Sequence, residues 1–313
     1  MLWTAGLLGT CAIIMAATMS PSQFWRVGSL FCLGLIALAG LHVLTGLARV
    51  ISLYHVALVG VGAYTAGALS LSVGLCPILS VPAGVLAAAA ISFVLAKLAG
   101  SLQDHYLTLA TLAASEILTN IFRGATGLTG GANGLVGIPP LSIAGLVLFS
   151  PQDYFPVCAA FAVGALCVAW ALQRSFLGKA LRAAGDAGVL VETLGIDSID
   201  LRLAGFVIGG SFAGLAGALA AHVDGFVGPE SFGVDRSMAY LCFLVIGGLG
   251  KLRSVPVAAA LAVIAVEILR GIVGWQMVIL ACAAVATLYL RSWTMPPLFA
   301  WMKRRLGAKA GVA

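Results

Sequence analysis

The sequence predicts an all-α membrane protein: a polytopic bundle of about ten transmembrane helices, some of them broken or re-entrant. Three observations carry that expectation. Of 313 residues, 61% are hydrophobic and only 9% are charged, with a mean hydropathy of +1.10, whereas a soluble domain carries about 25% charged residues. Apolar stretches of about 20 residues, enough to cross a bilayer, recur along the whole chain. The 39 glycines suit helices packed in lipid, where small residues let backbones approach closely.

Ten spans can be laid down at roughly 2–19, 27–47, 52–73, 79–99, 105–124, 154–172, 202–222, 237–250, 255–273 and 275–291. The first has no charged n-region, so it reads as a span and not as a cleaved leader. The third contains Ser52, His55, Gly60 and Gly62, and the eighth is short, so these two are the candidates for broken or re-entrant helices. In the seventh, Gly205, Gly209, Ala213 and Gly217 recur at four-residue spacing beside Gly210 and Gly214. Two such rows predict a central helix packed on two sides.

Charge encodes orientation. With both termini in the cytoplasm, Arg49, Lys97, Arg174, Lys179, Arg182, Arg202, Lys251, Arg253, Arg291, Lys303, Arg304, Arg305 and Lys309 fall inside, thirteen of the seventeen basic residues. Arg26, Arg123, Arg236 and Arg270 fall on or near the outer side with Asp153, Asp224, Glu230 and Asp235, a positive-inside bias. The basic residues show no interleaving with aromatics of the nucleic-acid-binding kind, so no nucleic acid partner is expected. The seven cysteines stand singly in apolar runs without C-x-x-C spacing, as inert packing residues do.

One long polar interruption, residues 174–200, then becomes a cytoplasmic loop. Its apolar positions (Phe176, Leu177, Ala180, Leu181, Ala184; then Val189, Leu190, Val191, Leu194) read as two amphipathic half-length helices broken near Gly185 to Gly188. Arg182 and Asp186 form an i, i+4 pair, and Gly195 suits a C-terminal cap. Such a loop is either a plain connector or a dock. The whole chain, 1–313, reads as a single transmembrane domain closed by a basic cytoplasmic tail, 292–313.

Charges within spans need a partner or a purpose. Glu116, Asn120 and Arg123 share one face of the fifth span with His105, beside a hydroxyl face of Thr108, Thr111, Ser115 and Thr119. Glu267 and Arg270 are close enough in sequence to pair. His55, near Ser52, Tyr54 and Tyr64, is either a packing residue or part of a path. The stretch 127–140, with Gly130, Gly131 and Asn133 in its turn and Pro139 and Pro140 at its end, is external and lets backbone amides approach a ligand or partner. No H-E-x-x-H spacing suggests a metal, and no clustered acids, histidines or activated nucleophile suggest an enzyme. No Walker A motif is present, so ATP-driven transport would need separate ATPase subunits.

Six runs, taken together, resemble one family. ISLYHVALVGVGAYTAG from residue 51, TLATLAASEIL from 108, GLTGGANGLVGIPP from 127, FLGKALRAAGDAGVLVETLGID from 176, FAGLAGALAAHVDGFVGPESF from 212 and VIGGLGKLRSVP from 245 are similar to the membrane permease subunits of branched-chain amino acid ABC importers, in that family's order. The family usually has glycine and glutamine at the positions of Arg49 and Val50, and glycine at that of Tyr54. The resemblance implies a bacterial inner-membrane, multi-pass subunit without cofactors or catalytic residues. It implies pairing with a second homologous permease, two cytosolic ABC ATPases and a periplasmic binding protein. It also implies that Gly178, Arg182, Asp186, Glu192 and Gly195 shape an ATPase-coupling loop. His55, Tyr64, Thr108, Thr111, Ser115, Glu116, Gly130, Gly131 and Asn133 are then the candidates for the solute path. The expected cargo is a branched-chain or related amino acid, with urea, short amides or another small solute as an alternative on the same machinery. A secondary transporter or channel is the alternative of a different class.

Overall fold

The computed structural model describes residues 21–100, 102, 104–143, 146–268 and 282. The expected first and tenth spans, Arg270 and the basic tail lie outside them, as do the side chains that would test the Glu267–Arg270 pair.

Nine helices make up most of the described chain: α1 (Pro21–Leu41), α2 (His55–Ser72), α3 (Pro77–Ala99), α4 (Asp104–Gly124), α5 (Pro151–Arg174), α6 (Phe176–Thr193), α7 (Ser198–Asp224), α8 (Val234–Gly247) and α9 (Ser254–Ile268). Five stretches are long and apolar enough to cross a membrane: Ser22–Leu47, His55–Ser72, Pro77–Ala99, Pro151–Arg174 and Ser198–Asp224. They correspond to the second, third, fourth, sixth and seventh expected spans. The eighth is short, as its sequence suggests. α8 has 14 residues, about 21 Å at 1.5 Å per residue, less than the roughly 30 Å of a hydrocarbon core.

α7 is the centre of the bundle, packed against α1, α2 and α3. The glycine rows explain why. A Cβ on Gly217 would strike the carbonyl oxygen of Val59 in α2, and one on Gly62 would strike the carbonyl of Gly214. On the neighbouring face, a Cβ on Gly214 would lie 2.6 Å from that of Ala88, and one on Gly84 2.7 Å from the Gly62 carbonyl. The backbones of α2, α3 and α7 therefore touch directly, at a separation that only glycine permits. Gly209 turns to the end of α1 and the residues just after it, where its Cβ would meet Leu44 at 2.8 Å and Gly40 O at 3.2 Å.

α1 does not end in a cap but runs into a π-helical stretch, His42–Leu47, all of it buried. The chain then reverses through Ala48–Tyr54, where Arg49 adopts φ 57°, and Ser52, Tyr54 and His55 are wholly buried at the start of α2. Non-helical backbone of this kind is tolerated within a membrane protein only inside the protein or along a wet cavity. The third expected span is thus broken at its beginning.

Most of the described basic side chains gather at one end of the bundle. Arg49, Lys97, Arg174, Lys179, Arg182, Arg202, Lys251 and Arg253 all lie at or beside the helix ends around α6. The opposite end is closed by two short antiparallel pairings. One joins β1 (Leu135–Val136) to β4 (Phe226–Val227), with Leu135 opposite Val227; the other joins β2 (Ser142–Ile143) to β3 (Leu146–Val147). Ser150 and Asp153 form a capping box that starts α5 at this end.

Replacing Gly217 by leucine should destabilise the protein by about 3 kcal/mol, the upper end for overpacking, because a backbone carbonyl cannot rotate away. Gly164→Ala, at a position where an added Cβ meets nothing, should leave stability unchanged or slightly raised. Thermal unfolding of the two variants in detergent checks this, and equal melting temperatures would refute it.

Candidate transport path and coupling site

α4 is built with two polar faces. Thr111, Ser115 and Thr119 are buried, while His105, Glu116, Asn120 and Arg123 are exposed. The hydroxyls on this side bond backbone groups both within α4 and in the segments packed against it. Thr111 Oγ1 accepts from Leu53 N–H at 3.2 Å and donates to Thr108 O at 2.8 Å. Thr108 Oγ1 donates to Ile51 O, and Thr119 Oγ1 to Ser115 O at 2.9 Å and to Phe232 O at 3.5 Å. Ser115 Oγ has no partner among the described residues. The exposed face is different: Asn120 bonds the Glu116 carbonyl at 2.9 Å, and Arg123 meets Glu230 at 3.1 Å. That pair is half to four-fifths exposed, so it adds little stability.

His55 is fully buried, and its Nε2 lies 2.8 Å from Ala37 O. This bond ties α2 to α1. Tyr64 stacks on Phe122 at 4.6 Å and meets Phe232 edge-on at 6.0 Å, while its hydroxyl is buried without a partner among the described residues. Gly130 and Gly131 sit in a left-handed turn, with Asn133 exposed beyond them. The structure therefore brings Tyr64 and the α4 face toward the Pro229–Phe232 loop, whereas His55 lies deeper.

Two residues that the sequence pattern does not announce complete this architecture. Ser237 Oγ accepts from Val56 N–H at 3.2 Å, capping α2 from α8. His222 reaches Ser80 Oγ at 2.8 Å through Nε2 and Pro139 O at 2.9 Å through Nδ1, clasping α7 to α3 and to the glycine-rich loop. Both link residues far apart in sequence, so no local spacing marks them.

At the basic end, α6 is a single helix over Phe176–Thr193. The expected break near Gly185 to Gly188 is absent. Each interior glycine costs only about 1 kcal/mol, and Gly185 is needed where it is: its Cβ would strike Arg49 Cγ at 2.6 Å and Ala48 O at 2.8 Å. The expected Arg182–Asp186 pairing is also replaced, because Asp186 instead meets Arg49 at 3.1 Å. Arg182 holds one guanidinium nitrogen buried, with no partner among the described residues. Caps fix both ends of the segment. Ser175 Oγ accepts from Gly178 N–H at 3.2 Å and Asp197 Oδ1 from Ile199 N–H at 2.8 Å. Gly178 allows the tight corner with α5, since a Cβ there would strike Leu172 O. Ser198 Oγ donates to Glu192, and Gly195 takes φ 78° just beyond the helix. α6 buries Leu181, Ala184 and Val191 while leaving Phe176, Lys179, Asp186 and Glu192 exposed.

A family model described as "Branched-chain amino acid transport system / permease component" matches residues 26–294. The chain belongs to this family. Among this permease's relatives, the high-affinity branched-chain amino acid transport system permease protein LivM of Salmonella typhimurium is 30% identical over 297 residues, covering 88% of this chain and 69% of that protein. LivM of Escherichia coli is 30% identical over 314 residues, covering 92% and 74%. The autoinducer 2 import system permease protein LsrC of Salmonella typhi is 29% identical over 150 residues, 47% of this chain and 42% of its own length. No solved structure matches the permease.

The two faces of α4 should separate on mutation. Thr111→Val in the permease strands the buried Leu53 N–H and should cost about 1–3 kcal/mol. Glu116→Gln, at an exposed position, should stay within about 0.5 kcal/mol of the parent. Denaturant or thermal unfolding decides it; the assignment fails if Glu116→Gln proves the more damaging.

Proposed function

We propose that the chain is the inner-membrane permease subunit of an ABC importer that translocates branched-chain or related amino acids delivered by a periplasmic binding protein. The observation that carries this reading is α6. It is an amphipathic helix capped at both ends, anchored by its apolar side to the α1–α2 corner, and exposing Phe176, Lys179 and Glu192 at the basic end of the bundle. A channel or secondary transporter has no use for such a dock, whereas a subunit lacking its own Walker motif needs one.

In this reading the basic end faces the cytosol, both termini are cytoplasmic, and residues 174–200 couple the bundle to two ATPase subunits through Gly178, Arg182, Asp186, Glu192 and Gly195. The Arg49–Asp186 pair passes movement of α6 to the end of α1. The path runs along the exposed face of α4, because an ionised Glu116 facing lipid at mid-bilayer would cost about 2.5–3.5 kcal/mol. That face is therefore turned to the second homologous permease or to the aqueous route between the two. Glu116 borders the route directly; Thr108, Thr111 and Ser115 back it; Tyr64, His55 and the Gly130, Gly131 and Asn133 turn shape its outer part. The chain itself performs no chemistry and holds no cofactor. The similarity to an autoinducer 2 permease over half the chain favours, as a second reading, the same machinery carrying another small solute. The ligand taken by the cognate binding protein separates the two.

Phe176→Asp should lower ATP-dependent uptake by the reconstituted importer about tenfold or more, since it places a charge where an apolar side chain would enter the ATPase surface. Assembly of the permease pair in detergent should be retained. Parental uptake by this variant, or uptake by the permeases alone down a gradient, would overturn the reading.

A further inference from the structure

At the end of the bundle opposite α6, a crevice of about 170 Å³ opens between α1, α2, α7 and α8. At about 30 Å³ per water in the liquid, this is the room of five or six waters. Its walls are mainly apolar, short at Ala37, Val59 and Ala216 and bulky at Phe226, Phe232 and Tyr240. Its rim is polar, with Asp224 at the end of α7, Arg236 in the first turn of α8, and Ser231 between them.

The two charged groups are opposite in sign, and among the described residues no ion pair joins them. Arg26 of α1 adds a second cation within electrostatic reach of Asp224. The rim thus offers a carboxylate and a guanidinium with no ion pair between them, beside mainly apolar walls. A lipid tail would not need the charges, and a metal or simple anion would not need the apolar walls. A molecule carrying an ammonium and a carboxylate on one carbon, with a compact branched hydrocarbon chain, uses all three features. Guanidinium–carboxylate contacts are the directional kind, frequently bidentate, and the apolar wall residues beside them would take the hydrocarbon chain.

One segment links the crevice to the proposed path. The Pro229–Phe232 turn that forms its rim is held to α4 by the Arg123–Glu230 pair and by the Thr119–Phe232 bond. Solute leaving the rim would therefore meet the exposed face of α4.

We infer that this crevice is a transit site for the amino acid zwitterion, with Arg236 receiving the carboxylate, Asp224 the ammonium group, and the apolar walls the side chain. The inference rests on the amino acid import reading above. The test uses the complete importer in proteoliposomes with saturating binding protein, measuring leucine and alanine uptake and ATP hydrolysis, all normalised to assembled complex. Asp224→Asn and Arg236→Gln should each reduce uptake of both amino acids about tenfold or more, the scale of one lost charge-assisted contact, while hydrolysis stimulated by the loaded binding protein persists. Ala220→Phe, which narrows the crevice at a lining position and leaves the charges in place, should reduce leucine uptake more than alanine uptake. Parental uptake in both charge variants, or an equal loss of leucine and alanine in Ala220→Phe, overturns the inference while leaving the import reading intact. Loss of hydrolysis in step with uptake in the charge variants overturns it as well, because that marks a docking or assembly role. A parent importer that moves no amino acid overturns both.

Discussion

The structure depends on the direct meeting of three backbones, those of α2, α3 and α7, at Gly62, Gly84, Gly214 and Gly217. In lipid, helix association gains nothing from hiding apolar surface from water, so close van der Waals contact has to supply the cohesion. Small residues at these crossings bring the helices near enough for their main chains to touch. The other elements are placed around that contact: α1 closes on Gly209, and α6 seats against the corner where α1 turns into α2. A contact made by backbone has no side-chain rotamers to rearrange, so the three helices are held at one separation.

A second constraint follows from the breaks in the helices. Ala48–Tyr54 is non-helical and Pro229–Phe232 is only a short 3-10 turn, and every buried backbone group in them needs a partner. Some partners are main-chain carbonyls, as for the Ala48, Val50 and Ser231 amides; others are hydroxyls on neighbouring helices: Thr108 and Thr111 for the first segment, Thr119 for the second, and Ser237 for the amide that opens α2. Short hydroxyl side chains suit this task, since they reach a main-chain group without needing a charge inside the membrane. The same residues that give α4 its polar inner face therefore also hold the broken segments in place.

How much of this could be read from the sequence follows from the range of each interaction. The long apolar helices and the glycine rows of α7 are set by local composition and four-residue spacing, and both were legible. The broken start of α2 was foreshadowed by Ser52, His55 and the glycines after it. The continuity of α6 was not legible, because two glycines look like a break until the neighbouring Ala48 and Arg49 supply the reason for Gly185. The partner of Asp186 was hidden likewise: Arg182 is nearer in sequence, but the fold brings Arg49 to it. The pairing of β1 with β4 involves two residues on each side, too few to show alternation. For the candidate path, residue types could be picked out but not their directions. Pattern placed Thr111 and Glu116 on adjacent faces, and only packing shows that one points into the protein and the other out of it.

The composition of α4 has a further consequence, for how the chain enters the bilayer during synthesis. On insertion scales a large apolar residue contributes about 0.3–0.6 kcal/mol and a charged residue at the helix centre costs about 2.5–3.5 kcal/mol. The seven large apolar residues between Leu107 and Phe122 thus gain roughly what Glu116 alone forfeits, before Asn120 is counted. α4 has little tendency to enter lipid by itself. α3 precedes it by only four residues and is among the helices apolar enough to cross unaided, so the two are suited to enter as one hairpin. The polar face of α4 would then be delivered already leaning on its neighbour, and the order of the helices along the chain becomes part of how a helix with a charged face is carried into a membrane.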